Sequence, residues 1–222
     1  MDTFTLSESV SRFTAAFFPV LLGSVLHEVA HGWAAWKSGD PTAMRAGRLT
    51  LNPLPHIAPV GIGVFVFTAL FSPFVFGWAK PVPVNPRYFR NPRRDMLLVS
   101  AAGPLTNAAL ALVFALCLRL LIFLPPETLS GTAAGRYFLQ MFQIGITANF
   151  TLAWFNLLPI PPLDGGHIVE ALLPSPLNRQ YASLSRYGFL LLILLIASDA
   201  LSHVLAPLIR WSWQAALWLV GI

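Results

Sequence analysis

The chain has 222 residues, of which 56% are apolar and only 10% charged, and its formal net charge is +5. A soluble domain carries roughly 25% charged residues, so a water-exposed fold of this size could not clothe its surface, and a polytopic membrane protein is predicted. The positive charge is gathered in short loops between apolar stretches, where it orients a membrane protein toward anionic headgroups and gives no reason to expect a nucleic-acid partner. The lone cysteine, Cys117, excludes a disulfide framework and a cysteine-type zinc site.

Five apolar segments follow along the chain, at residues 12–36, 57–79, 95–124, 135–160 and 186–206, with a short tail at 211–222. Each of the five is long enough to cross a hydrocarbon core of about 30 Å as a helix. The predicted fold is all-α, with about four to six transmembrane helices. Gly61, Gly63, Pro73 and Gly77 interrupt the second segment, which therefore reads as re-entrant or irregular. Charge supports this. The flanking loops carry Lys37, Arg45 and Arg48 on one side and Lys80, Arg87, Arg90, Arg93 and Arg94 on the other. A spanning 57–79 would put one of these basic loops on the wrong face. The proline-rich strings WAKPVPVNP (78–86) and LPIPPLDGG (158–166) cannot be regular helix, and such backbone at membrane depth must be buried in protein or line a wet cavity. A single domain over 1–222 is expected, with a core at about 12–170 and C-terminal helices at about 180–222.

The first segment holds the string HEVAH, His27 to His31. On a helix His27 and His31 lie one turn apart on one face, so both imidazoles can reach one metal ion, and Glu28 can reach a water beside it without ligating. Neutral imidazoles suit zinc, and a carboxylate suits the removal of a proton from the attacking water. Chance would produce this pattern in about one chain in 500 of such composition, and three ionisable groups in a membrane helix usually mark function.

A catalytic zinc site commonly takes a third protein ligand. Among the remaining histidines and acids, Asp164 is the best choice, since it directly follows the fourth apolar segment among prolines and glycines. The competing reading makes Asp164 the cap of a short helix beginning near Gly165. Asn107 reads as an interhelical hydrogen-bonder. His56 reads as interfacial, His167 as a partner for Asp164 one turn away, and Asp199 with His203 as a pair at a membrane boundary.

Three ordered motifs carry a resemblance. HEVAH, AGPLTN (102–107) and NLLPIPPLDGG (156–166) resemble the site-2 protease family of intramembrane zinc metalloproteases, in its compact prokaryotic branch without PDZ or CBS domain. The last string fits the family pattern Asn-x-x-Pro-x4-Asp-Gly as Asn156, Pro159, Asp164 and Gly165. The resemblance implies that His27, His31 and Asp164 hold one zinc per chain, that Glu28 is the general base, and that Asn156 positions the substrate backbone or the developing oxyanion. It implies cleavage within or near transmembrane segments of membrane-protein substrates, in the prokaryotic plasma membrane, with room for an adaptor or regulatory membrane partner. The rival reading is a zinc transporter or another non-enzymatic metal-binding membrane protein.

Crossing parity points the same way. Ligands that come late in segments 12–36 and 135–160 require those two helices to run parallel. One crossing, by 95–124, must then separate them, leaving none for 57–79 and placing the site toward the cytoplasmic face.

Overall fold

The computed structural model describes residues 6–71 and 79–222. Ten helices are described: α1 Leu6–Lys37, α2 Thr42–Arg45, α3 Pro59–Phe71, α4 Pro92–Leu121, α5 Pro126–Leu129, α6 Ala133–Asn156, α7 Asp164–Leu172, α8 Leu177–Ala182, α9 Ser185–Ala197 and α10 Ala200–Val220. No strand occurs among the described residues, only an isolated antiparallel bridge between Ile57 and Ala79. The fold is all-α.

Among the described residues two helices are long and apolar enough to cross a membrane, Phe13–Lys37 within α1 and Pro92–Leu121. α6, with 24 residues, is about 36 Å long at 1.5 Å per residue. The apolar run 186–206 and the tail at 211–222 are divided differently from the sequence reading. α9 stops at Ala197 and α10 starts at Ala200, with Asp199 between them in the left-handed region at φ 57°. The two helices bend by 75° there, so the run is a broken pair and the tail is the end of α10.

α1, α4 and α6 form the central bundle. Gly23, His27 and His31 of α1 meet Asn107, Asn107 and Val99 of α4, so the contact order runs in reverse and the helices are antiparallel. Asn149 of α6 meets Asn107, while Gly145 lies against Phe114, so α4 and α6 are antiparallel too. α1 and α6 are therefore parallel, as the parity argument requires.

α4 shows why this bundle suits lipid. Ser100, Gly103 and Asn107 are buried, whereas Leu105, Val113, Leu116 and Leu120 on its other face are between 50% and 66% exposed. Along this part of α4 small and polar side chains face inward and large apolar ones face out, the reverse of a water-soluble helix. The apolar core lies farther along α4, where Leu110, Phe114 and Leu118 pack with Ile146, Phe150 and Ala216.

Segment 57–79 begins as α3, a helix of 13 residues, and residues 72–78 lie outside the described ones. Its two ends are joined at the base by the Ile57–Ala79 bridge and by the Lys80 amide donating to the His56 carbonyl at 2.7 Å. The flanking loops also touch, through the Arg90 amide and the Ser38 carbonyl at 3.4 Å. A segment that starts and finishes beside itself does not span. We expect single cysteines at Arg45→Cys and Arg90→Cys, in a Cys117→Ser background, to be labelled from the same side of sealed vesicles. Labelling from opposite sides would overturn the returning segment.

Candidate metal centre

The helical pitch of α1 stacks His27 and His31 with ring centroids 4.5 Å apart and planes at 85°. Their Nε2 atoms approach to 2.9 Å. The third member comes from the far end of the bundle. Pro159, Pro161 and Pro162 stop helix α6 from continuing past Asn156, and the chain folds back tightly on itself. A Cβ at Gly165 would collide with the backbone carbonyls of Leu157 and Leu158, so only glycine permits this fold-back. It delivers Asp164 as the first residue of α7. The helix cap is Leu163 and no side chain caps it, so Asp164 is not spent on capping. Its Oδ2 lies 3.3 Å from Nε2 of both His27 and His31.

Each imidazole is fixed by its other nitrogen. The His31 Nδ1–H donates to the Val99 carbonyl at 2.7 Å. His27 Nδ1 lies 2.6 Å from Asn107 Oδ1. The direction of that second bond follows from a chain of amides. Asn149 Nδ2 donates to the Gly145 carbonyl, which turns its Oδ1 toward Asn107, and Asn107 Nδ2 donates to Asn149 Oδ1 and to the Gly23 carbonyl. Asn107 therefore presents its oxygen to His27, and the His27 proton must sit on Nδ1. Both Nε2 atoms are left as bare lone pairs.

Two lone pairs and a carboxylate oxygen thus converge at a place where Asp164 Oδ2 is buried and has no hydrogen-bond donor. Three acceptors meeting without a donor call for a cation. Ligands about 2.1 Å from a tetrahedral zinc lie about 3.4 Å from one another; the two histidine–carboxylate separations of 3.3 Å match that edge, and the histidine pair at 2.9 Å is somewhat closer. His27, His31 and Asp164 are the only group of this kind among the described residues.

Space for an ion depends on α4. A Cβ at Gly103 would lie 2.6 Å from His27 Cε1 and 2.7 Å from its Nε2, and closer still to His31 Nε2. Val99, Gly103 and Asn107 recur every fourth residue and form one face of α4 against the pair of histidines.

The other sequence candidates fall in several places. Glu28 neighbours the cluster, and its Oε2 accepts from the Val82 amide at 2.7 Å. Asn156 is half-buried at the end of α6 and donates to the Leu152 carbonyl at 2.9 Å, without contact to the cluster. His167 faces Glu170 at 3.8 Å and not Asp164, although both lie three residues from it on α7. His56, expected at the interface, is buried to 1% exposure, and its Nε2–H donates to the Thr50 carbonyl. Asp199 and His203 do pair, at 3.9 Å, in an exposed position. Sequence reasoning missed Gly103, and missed that Asn107 reaches His27. The spacing of 99, 103 and 107 within and beside AGPLTN was the available signal.

Comparison with known proteins agrees with this geometry. The model of Peptidase family M50 matches residues 122–196. "Putative zinc metalloprotease YwhC" of Bacillus subtilis strain 168 is 40% identical over 95% of this chain and 92% of its own length. The chain belongs to peptidase family M50. That is the site-2 protease family, and membership makes this chain a metalloprotease. Relatives of the same description include Rip2 of Mycolicibacterium smegmatis, 31% identical over 95% of this chain and 77% of the relative. A protein of Methanocaldococcus jannaschii is 43% identical over 73% of this chain and 72% of the relative. No solved structure matches.

In this M50 peptidase the Asn107 and Gly103 contacts are expected to govern metal affinity. Asn107→Leu and Gly103→Ala should each weaken zinc binding by about 10- to 100-fold, read by competition with a chelator at unchanged helical content. Wild-type affinity in both would refute the fixed tautomer and the shared face.

Proposed function

We propose that the chain is an intramembrane zinc endopeptidase that hydrolyses a peptide bond within or beside a transmembrane segment of a membrane-protein substrate. The observation that carries this reading is the convergence of three donor-free acceptors on His27, His31 and Asp164 inside an apolar bundle, with a carboxylate next to them. The names of the relatives, which specify zinc, support the choice of ion, and the single converging group among the described residues suits one ion per chain.

His27 and His31 through Nε2 and Asp164 through Oδ2 would hold the zinc. Bound there, zinc supplies a Lewis acid for the scissile carbonyl and makes water acidic near neutral pH. Glu28, adjacent to the ligands on α1 but not one of the converging three, takes the proton of the attacking water and passes it to the leaving amine. Asn156, one helical turn from Leu152 whose carbonyl now takes its amide, turns toward the substrate backbone when that backbone is present. A substrate helix hides its carbonyls in its own hydrogen bonds, so it unwinds locally before attack. The basic loops flanking segment 57–79 support a cytoplasmic position for this end of the bundle, in a prokaryotic plasma membrane.

A transporter would carry ligands along a path to both faces, whereas the described residues gather theirs at one depth. Metal analysis of purified protein should give about one zinc per chain, lost on His27→Ala with His31→Ala. Glu28→Gln should keep the zinc and lower cleavage by about 100- to 10,000-fold. Zinc-loaded wild type that cleaves nothing but carries zinc across vesicles would replace this reading with the transporter. Asn156→Ala should keep the zinc and slow cleavage by about 100-fold, the scale of one lost oxyanion donor.

A further inference from the structure

The loop after α1 buries two charged residues that contact neither the metal cluster nor each other. Arg48 is 6% exposed and Asp40 fully buried. No carboxylate pairs with the Arg48 guanidinium among the described residues, and its Nε has no partner. Burying a guanidinium without a counter-charge is costly, so the position needs a reason.

Both charges are used on the extended strap 79–85, which runs past α1. Arg48 Nη2 donates to the carbonyls of Lys80 at 2.6 Å and Pro81 at 3.3 Å. At the far end Asp40 Oδ2 accepts the Asn85 amide at 2.6 Å, while its Oδ1 takes the Thr42 amide at 2.9 Å. The strap reads Lys-Pro-Val-Pro-Val-Asn, and each residue before a proline is driven toward extended backbone. Prolines at 81 and 83 remove amides from one phase of the strap. Donors remain at 79, 80, 82, 84 and 85. Lys80 spends its amide on His56, Asn85 on Asp40, and Val82 on Glu28.

We propose that Arg48 and the Val82 amide form a positioning relay for the Glu28 carboxylate. Arg48 clamps the carbonyls just before Val82, and the amide so held takes Glu28 Oε2. Oε1 is left to receive the proton, and the carboxylate is kept from swinging into the cluster as a fourth ligand. Arg48 is a positioning residue in this scheme, acting through the strap. The relay rests on the peptidase reading, and its test separates the two.

Val82→Pro deletes one N–H from a segment that already alternates with proline. Val84→Pro is the matched control, because the Val84 amide has no partner among the described residues. With dye-labelled casein in detergent, an unfolded chain that needs no unwinding, Val82→Pro should lower kcat by about 10- to 100-fold with zinc content and KM unchanged. Val84→Pro should stay near wild type. Arg48→Lys, which keeps the charge but loses the fork, should lower kcat in the same way. It should also speed hydrogen exchange in the peptide 79–85, where Ala79, Lys80, Val82, Val84 and Asn85 carry the amide protons. Should Val82→Pro fail to fold, Arg48→Lys decides by kcat and exchange together. Equal kcat for Val82→Pro, Val84→Pro and wild type overturns the relay and leaves the peptidase reading standing. So does slow exchange with normal kcat in Arg48→Lys. A zinc-loaded wild type that leaves casein and membrane substrates intact overturns both.

Discussion

Two imidazole lone pairs and a carboxylate oxygen, brought within 3.3 Å of one another inside an apolar bundle, set the terms for everything around them. Such an arrangement repels itself and is stable only with a cation at its centre or protons shared across it. Around it the protein must fix two tautomers, remove a Cβ, and turn a chain back sharply enough to bring residue 164 to residues 27 and 31. Asn107, Gly103 and the proline-rich turn each answer one of those demands. The antiparallel placement of α4 between two parallel helices is the topology that lets them do so together.

Polar groups in this bundle are satisfied in sequence, each by the next. The Gly145 carbonyl orients Asn149, Asn149 orients Asn107, and Asn107 orients His27. No link involves a charged pair, so the chain of amides crosses three helices without the desolvation cost of buried ions. Helix association in lipid draws little from apolar burial, since tails are as apolar as leucine, and relies instead on close approach and hydrogen bonds. The same amides that hold the helices together therefore also set the proton on His27. Stability and chemistry share one network.

Much of the site could be read from the sequence because its signals are local. The four-residue spacing of His27 and His31 needs only helical pitch, and the returning course of 57–79 followed from charge on its two flanks. Asp164 could be shortlisted but not separated from a helix cap, since both roles favour Asp before a glycine; only the fold-back of residues 157–163 decides between them. The relay at Glu28 was illegible for another reason. It joins residues 28, 48 and 82 through backbone atoms, which leave no side-chain pattern. His56 misled because a histidine in a basic loop looks solvated, while its burial depends on a bridge between two segments 22 residues apart. The break between α9 and α10 rests on one left-handed residue, Asp199, of a type that tolerates that conformation without demanding it.

The bridge of Ile57 to Ala79 pins both ends of a long excursion at a single point. Mechanically this is a loop tied off at its neck. Residues may be added to or taken from its outer part at small entropic cost, since closing a longer loop costs only about 0.6 kcal/mol for each doubling. None of that change reaches the strap beyond the neck, which is held by its own bonds to Arg48, Glu28 and Asp40. The excursion beyond the neck can thus vary in length and surface while the reacting groups keep their places. One catalytic frame could be fitted to membranes of different thickness, or to different guests, by editing a stretch that the chemistry never touches.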